Sequence, residues 1–126
     1  NIKREKYNMK KNSVNRNARL RGGRAEALLL TQLIDQGYEA RRTHLSAFPD
    51  IIAWDQDQVF FIEVKARSDP AKGLSNALSN FRTSARIMRF VPKSGTVLCY
   101  VRLNGAWNVY QWCDNATKQV ESIVSE

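Results

Sequence analysis

Apolar residues recur at helical spacing in the stretch GRAEALLLTQLIDQGYEARR, which begins at Gly23. One apolar stripe runs along it, formed by Leu29, Leu30, Leu33 and Ile34. This spacing buries one face of a helix. The pattern therefore predicts a helix from about Gly23 to Gln36, and Gly37 is a natural C-terminal stop.

An acid lies on the apolar face of this predicted helix. Glu26 precedes Leu29 by three residues and Leu33 by seven, so all three side chains share one face. Glutamate is rarely buried without a partner. The helix dipole favours an acid near the N-terminus, which explains the position of Glu26 along the helix but not its facing. Glu26 is therefore a candidate functional acid.

Two strands joined by a polar turn are predicted from FPDIIAWDQDQVFFIEVKAR, which begins at Phe48, and a shorter strand is predicted from YEARRTH before it. In the second strand of the pair the side chains alternate, so Glu63 and Lys65 share a face, about 6–7 Å apart. Asp50 lies where the first strand begins. Charges beside a core are costly unless they are paired or bind a metal.

The remaining pattern predicts a helix over LSNALSNFRTSARIMRF and two strands around Asn104-Gly105, a type I′ hairpin signal. A basic row on this helix is either a solvated face or a set of phosphate contacts: Arg82, Arg86 and Arg89. The predicted order is helix, three strands, helix, two strands. Such an order favours an α/β fold with a mixed five-stranded sheet flanked by helices.

Charge is distributed unevenly along the 126 residues, a length that suits one domain. The net charge of +8 favours a polyanionic partner. Residues 1–24 contain nine Lys and Arg against one acid. The first part of the chain is either a disordered, solvated tail or a basic arm that orders on nucleic acid. We predict an arm at 1–20, a folded domain at 21–113 and a polar tail at 114–126.

Membrane and secretion signals do not stand out in the sequence. No apolar run approaches the roughly 20 residues that span a bilayer, and no signal-peptide pattern opens the chain. The two cysteines, Cys99 and Cys113, form no metal motif and are expected to be reduced. We therefore expect a cytoplasmic protein without a membrane partner.

Two carboxylates and a lysine at strand ends are suited to metal chemistry. Carboxylate oxygens are hard ligands of the kind that Mg²⁺ and Mn²⁺ prefer. A bound metal stabilises charge on a phosphate and activates water. The alternative is a structural Glu63–Lys65 ion pair, with Asp50 capping a turn. Glu26 on the neighbouring helix and the basic composition favour the metal site.

The residues Pro49-Asp50 and Glu63-Val64-Lys65 resemble the motif of the PD-(D/E)XK nuclease superfamily. From about residue 21 to 112, the chain resembles archaeal-type Holliday junction resolvases. Further matching positions are RGGRAE ending at Glu26, Gly37-Tyr38, Arg42 and Ser46. The resemblance implies a restriction-endonuclease-like fold for the predicted α-β-β-β-α-β-β order.

The resemblance also implies roles for individual residues. Asp50, Glu63, Glu26 and the Val64 backbone carbonyl would bind Mg²⁺, for which Mn²⁺ would substitute. Lys65 would position the attacking water, and Arg42 and Ser46 would contact the scissile phosphate or the neighbouring backbone. The expected catalytic residues are Glu26, Ser46, Asp50, Glu63 and Lys65. The expected DNA-binding residues are Arg21, Arg24, Arg42, Arg67, Arg82, Arg86 and Arg89.

The leading hypothesis is a metal-dependent endonuclease that resolves four-way DNA junctions by paired symmetric cuts. Two symmetric cuts need two active sites, which implies a homodimer acting on branched double-stranded DNA. One alternative keeps the chemistry but changes the substrate to a flap, a mismatch or a specific sequence. Another is a basic nucleic-acid-binding module without catalysis. Metal dependence separates the enzymes from the module, and a panel of DNA shapes separates the two enzymes.

Overall fold

The structure is a computed structural model that describes residues 2–44, 48–87 and 95–125, without the side chains of residues 2–15 and 87. In chain order the elements are helix α1 (Ile2–Asp35), strands β1 (Glu39–Arg42), β2 (Ile51–Trp54) and β3 (Val59–Ala66), helix α2 (Pro70–Ile87), and strands β4 (Gly95–Leu103), β5 (Ala106–Cys113) and β6 (Ala116–Val120).

The strands form one six-stranded sheet in the order β1-β2-β3-β4-β5-β6. Neighbouring strands are antiparallel except β3 and β4, which are parallel. A parallel pair needs a crossover, and α2 supplies it. The prediction of a mixed α/β sheet with helices is confirmed. The restriction-endonuclease-like assignment stays a prediction.

The predicted number of five strands is wrong, because β6 lies in the segment predicted to be a polar tail. Asp114 and Asn115 both have positive φ angles, of 52° and 61°, which turn the chain back so that β6 pairs with β5. The predicted hairpin at Asn104-Gly105 has φ angles of 50° and 74°, as a type I′ turn requires. A polar edge strand lacks the apolar alternation by which strands are predicted.

Helix α1 begins at Ile2, well before the predicted start at Gly23. At about 1.5 Å per residue, the helix is about 50 Å long. The buried side chains described on α1 begin at Ala25 and continue with Leu29 and Leu33, whereas Ile34 is 50% exposed. The apolar pattern therefore marked only the part of the helix that packs on the sheet. Whether residues 1–20 act as a separate arm stays a prediction.

Both helices end or begin at recognisable capping residues. Gly37, with a φ of 101°, donates to the Ile34 carbonyl at 3.0 Å, while Tyr38 donates to the Leu33 carbonyl at 3.1 Å. This is the paired bonding of a Schellman motif. Helix α2 begins at Pro70 rather than in LSNALS, since Asp69 Oδ1 accepts hydrogen bonds from the first turn.

Each face of the sheet carries its own core. Helix α1 packs with Ile62 and Val64 on one face, and α2 packs with Phe61 on the other. Strand β3 is therefore covered on both faces, as its continuous apolar sequence predicted. Alternation along β3 places Glu63 on the α2 face.

Neither described helix contains an apolar window long enough to cross a membrane.

One glycine allows close contact between α2 and the end of β3. A Cβ atom at Gly73 would lie 2.6 Å from the Cβ of Arg67, closer than real Cβ atoms approach each other. Gly22, inside α1, has nothing within 4 Å of the same ideal position. The two helical glycines therefore differ in packing.

Opposite effects on stability are expected from Gly22→Ala and Gly73→Ala. In Gly22→Ala the free energy of unfolding should rise by about 0.5–1 kcal/mol, because alanine restricts the unfolded chain more than glycine does. In Gly73→Ala it should fall by about 1–3 kcal/mol, because α2 must move away from Arg67. Urea denaturation of both variants checks this. A stabilised Gly73→Ala variant would contradict the close contact.

Candidate active site

Backbone pairing between β2 and β3 holds Asp50 beside the charged end of β3. The Asp50 amide donates to the Ile62 carbonyl at 2.9 Å, and Asp50 Oδ2 accepts from the Val64 amide at 2.8 Å. Hydrogen bonds to a carboxylate are shorter and stronger than neutral ones. Because β2 and β3 are antiparallel and Ile51 pairs with Ile62, Asp50 lies beside Glu63 although the two acids are distant in sequence.

Glu63 is the only polar or charged side chain buried among the described residues, with 5% of its surface exposed. Its Oε1 accepts a hydrogen bond from Ser84 Oγ at 3.3 Å and lies 3.6 Å from Lys65 Nζ. Its Oε2 is buried and has no hydrogen-bond partner among the described residues. A buried carboxylate oxygen without a donor is costly, and it is available to a cation.

The electrostatic environment of Glu63 opposes its negative charge. Burial is the main cause that raises the pKa of Glu63 above its ordinary value, and the nearby charge of Asp50 raises it further. Lys65 and the hydrogen bond from Ser84 act in the opposite direction. A carboxylate whose ionisation is disfavoured by burial and by a neighbouring acid is a frequent feature of functional sites.

Glu26 approaches the same region from α1. A cavity of about 270 Å³ is lined by Gly23, Glu26, Arg42, Thr43, His44 and Asp50. Arg42 Nη2 donates to the Gly23 carbonyl at 3.1 Å, and Arg42 Nε lies 3.9 Å from Glu26 Oε1. Burial, followed by the charge of Asp50, raises the pKa of Glu26, while Arg42 and His44 lower it. The cavity therefore joins the helix acid to Asp50.

The structure thus brings together five of the residues that the sequence singled out: Glu26, Arg42, Asp50, Glu63 and Lys65. Ser46, expected to be catalytic, lies outside the described residues. Val64 contributes its amide to Asp50, and its carbonyl stays a predicted metal ligand. The catalytic and metal-binding roles of these residues remain predictions.

The acidic side chains of the site bear on whether a metal ion can bind there. Within the described ranges, no group of three or more His, Cys, Asp or Glu side chains is arranged to hold a metal ion. The two acids at β3 nevertheless fit a cation, since Glu63 Oε2 is buried without a donor and Asp50 lies beside it. The predicted metal ligands therefore stay Asp50, Glu63, Glu26 and the Val64 carbonyl.

Two contacts at the site were missed by sequence reasoning. Ser84 of α2 hydrogen-bonds Glu63 although the two are 21 residues apart. The Thr43 amide donates to the Asp50 carbonyl at 3.0 Å, so the chain before and after the segment 45–47 is held together. The only sequence signal for Ser84 was its place between Phe81 and Ala85 on the buried side of α2. Nothing local indicated the contact.

The expected DNA-binding arginines occupy different surfaces. Arg42 lines the cavity shared by Glu26 and Asp50, which we call the acidic cavity. Arg21, Arg24 and Arg67 line a second cavity. Arg82 and Arg86 are exposed on α2, and the guanidinium carbon of Arg86 lies 5.9 Å from the ring centroid of Trp112. Arg89 lies outside the described residues.

The sequence matches no protein-family model and no curated protein. Among solved structures, the chain is similar to that of Archaeoglobus fulgidus Hjc, a Holliday junction resolvase from an archaeal hyperthermophile. The identity is 24%, the match covers 70% of each chain, and the TM-score is 0.47. Identity and TM-score are too low to support an inference about function, and membership of the resolvase family stays a prediction.

Burial of Glu63 predicts a pH-dependent effect of Glu63→Gln. Since its folded pKa lies above the ordinary value of 4.5, the folded state binds this proton more tightly than the unfolded state. The free energy of unfolding therefore falls as pH rises from 4.5 through the folded pKa. Glutamine does not ionise, so the variant should gain about 1 kcal/mol over the wild type at neutral pH and lose that gain below 4.5.

Urea denaturation in chelator at acidic and neutral pH measures this difference. Glu39→Gln, on the exposed edge strand β1, is the matched control, and its effect is subtracted at each pH. An equal effect of Glu63→Gln at both pH values would contradict the argument from burial.

Proposed function

We propose that this chain is a metal-dependent DNA endonuclease that hydrolyses phosphodiester bonds, with four-way junctions as its substrate. The observation that carries the proposal is the buried Glu63 carboxylate, one oxygen of which has no partner among the described residues, beside Asp50. A basic chain with two adjacent acids at a cavity suits an anionic substrate whose cleavage needs a cation.

Asp50, Glu63 and the Val64 carbonyl would hold Mg²⁺ or Mn²⁺, and Glu26 would complete the site from α1. These are oxygen ligands, which both ions prefer. When bound, such an ion stabilises negative charge on the phosphate and increases the acidity of water. The cation would then compensate the negative charges of Asp50 and Glu63, which lie close together.

Lys65 and Arg42 serve the phosphate and the nucleophile in this proposal. The Lys65 side chain is 23% exposed, and its Nζ lies 3.6 Å from Glu63 Oε1, so the ammonium group stands between a buried acid and solvent. From there it orients the attacking water by hydrogen bonding and offsets charge that develops on the phosphate. Arg42, held by the Gly23 carbonyl, lines the acidic cavity and from there would contact the neighbouring DNA backbone.

Resolution of a junction requires two cuts in strands related by symmetry. A homodimer places two identical acidic sites for this purpose. Ser46 and Arg89 remain candidates for backbone contacts in the proposed complex. The positive charge of the chain, +8 in total, provides the non-specific part of the affinity for DNA.

Cleavage of a labelled four-way junction, beside linear duplex, flap and single-stranded DNA, tests the function. The wild type should cut the junction at paired symmetric positions with Mg²⁺ or Mn²⁺ and not with chelator. Asp50→Asn and Glu63→Gln should each lose about 100-fold or more in rate, since each removes a proposed metal ligand. Their affinity for the junction should stay within about threefold, because these acids do not contact DNA phosphates directly.

The controls separate the proposed enzyme from its alternatives. Glu39→Gln should cleave like the wild type, and Mn²⁺ should raise the Tm of the wild type but not of Asp50→Asn. Metal-dependent cuts mainly in a flap or duplex would keep the chemistry and change the substrate. Binding without cleavage in either metal would leave a basic nucleic-acid-binding module.

Deletion of residues 1–15 tests the basic N-terminal segment separately from the folded domain. This deletion removes five Lys and Arg side chains and one Glu. If several of these cations contact phosphates, affinity falls and the dependence of log K on log salt becomes less steep by about 0.9 per lost contact. An unchanged slope in fluorescence anisotropy titrations would show that the segment is passive.

A further inference from the structure

A second cavity, of about 490 Å³, lies on the other side of α1 from the acidic cavity. We call it the arginine cleft because four arginines line it: Arg21, Arg24, Arg67 and Arg102. Its remaining lining residues are Asn17, Leu20, Ala25, Leu28, Ala66, Asn104 and Gly105. The arginine cleft and the acidic cavity have no lining residue in common.

The arginine cleft concentrates positive charge, and no acidic side chain is among its described lining residues. Arg21, Arg67 and Arg102 are each half-buried, so water screens their charges less than on an open surface. Focused positive potential in a concave site attracts phosphate groups. The planar guanidinium group binds phosphate through two parallel hydrogen bonds, which gives position as well as attraction.

Contacts within the protein hold Arg102 and the backbone of Arg67 in place before any ligand binds. The Arg102 guanidinium lies 4.8 Å from the centroid of the Trp107 ring, and Trp107 Nε1 donates to Gln32 Oε1 of α1 at 2.7 Å. The Arg67 amide donates to the Arg102 carbonyl at 3.1 Å, so the two arginines end neighbouring parallel strands. A site that is ordered in advance loses less entropy when it binds a ligand.

The same elements carry the arginine cleft and the candidate active site. Arg67 directly follows β3 and comes four residues after Glu63, a separation of about 13 Å in extended chain. On α1, Glu26 lines the acidic cavity, while Arg24 lines the arginine cleft. Because the phosphates of one strand of B-DNA are about 3.4 Å apart along the helix axis, and farther apart along the backbone itself, a backbone that reaches both places spans at most about four nucleotides.

We propose that the arginine cleft binds the phosphodiester backbone within about four nucleotides of the bond that the acidic site cleaves. The reference to a cleaved bond rests on the proposed function, whereas binding of the backbone in the cleft does not. Arg102 is thereby added to the DNA-binding residues, and it would act together with Arg21, Arg24 and Arg67.

Salt-dependent binding of a labelled duplex and a labelled four-way junction, measured in chelator, tests the cleft. In the double variant Arg21→Gln/Arg102→Gln, the fall of log K with log salt should become less steep, with the slope smaller in magnitude by about two. The charge-matched control Arg41→Gln/Lys118→Gln removes two exposed cations that do not line the cleft, and its slope should equal that of the wild type. Equal slopes in the two double variants would overturn the proposal.

A second variant protects the test against loss of folding. Arg24 is exposed on α1, so Arg24→Gln leaves the core intact and should lower the slope by about one. Arg41→Gln is its single-site control. A wild-type slope in Arg24→Gln, together with unchanged affinity, would overturn the proposal even if the double variant did not fold.

Neutral methylphosphonate linkages at successive positions locate the contact. A methylphosphonate at a linkage near the cut but distinct from it, within about four nucleotides, should lower the affinity of the wild type and leave that of Arg21→Gln/Arg102→Gln unchanged. Loss only at the cleaved linkage would overturn the assigned position. A reduced slope in the cleft variants with no cleavage by the wild type would support the cleft and reject the nuclease. Cleavage by the wild type, together with wild-type salt slopes in all cleft variants, would support the nuclease and reject the cleft.

Discussion

Burial of β3 on both faces is the constraint on which the candidate site depends. Helix α1 covers Ile62 and Val64, and α2 covers the opposite face, so the side chain of Glu63 is forced into an apolar layer beside Phe61. The same strand supplies the Val64 amide that holds Asp50. The two acids are therefore fixed by the packing and pairing of a single central strand.

The site stores unfavourable electrostatics that the surrounding cores offset. Burial raises the pKa of Glu63 and of Glu26, and Asp50 raises both further. Removing charge from such a site generally stabilises a protein and removes its function. Ser84 and Lys65 moderate the cost at one oxygen of Glu63 while leaving the other without a donor. The oxygen without a donor would suit the cation that we propose at that place.

Helix α1 organises two cavities of opposite character. Glu26 of α1 lines the acidic cavity together with Asp50, whereas Arg21 and Arg24 of the same helix line the arginine cleft. The helix is anchored at its C-terminal part by Leu29 and Leu33, so both cavities share one rigid wall. An acidic site beside a basic cleft is suited to a polyanion that extends well beyond the bond at which chemistry would occur.

The sequence by itself determined the local features. Alternation along β3 put Glu63 and Lys65 together, Gly37 ended α1, and Asn104-Gly105 formed the hairpin, because each depends on residues close in the chain. Only the tertiary structure decided the pairing of β6, the contact from Ser84 to Glu63, and the meeting of Arg67 with Arg102. The contacts of Ser84 and Arg67 join segments that are far apart in the chain, whereas β6 is a polar edge strand whose sequence lacks apolar alternation. Their geometry follows from strand register and helix docking, which local periodicity does not encode.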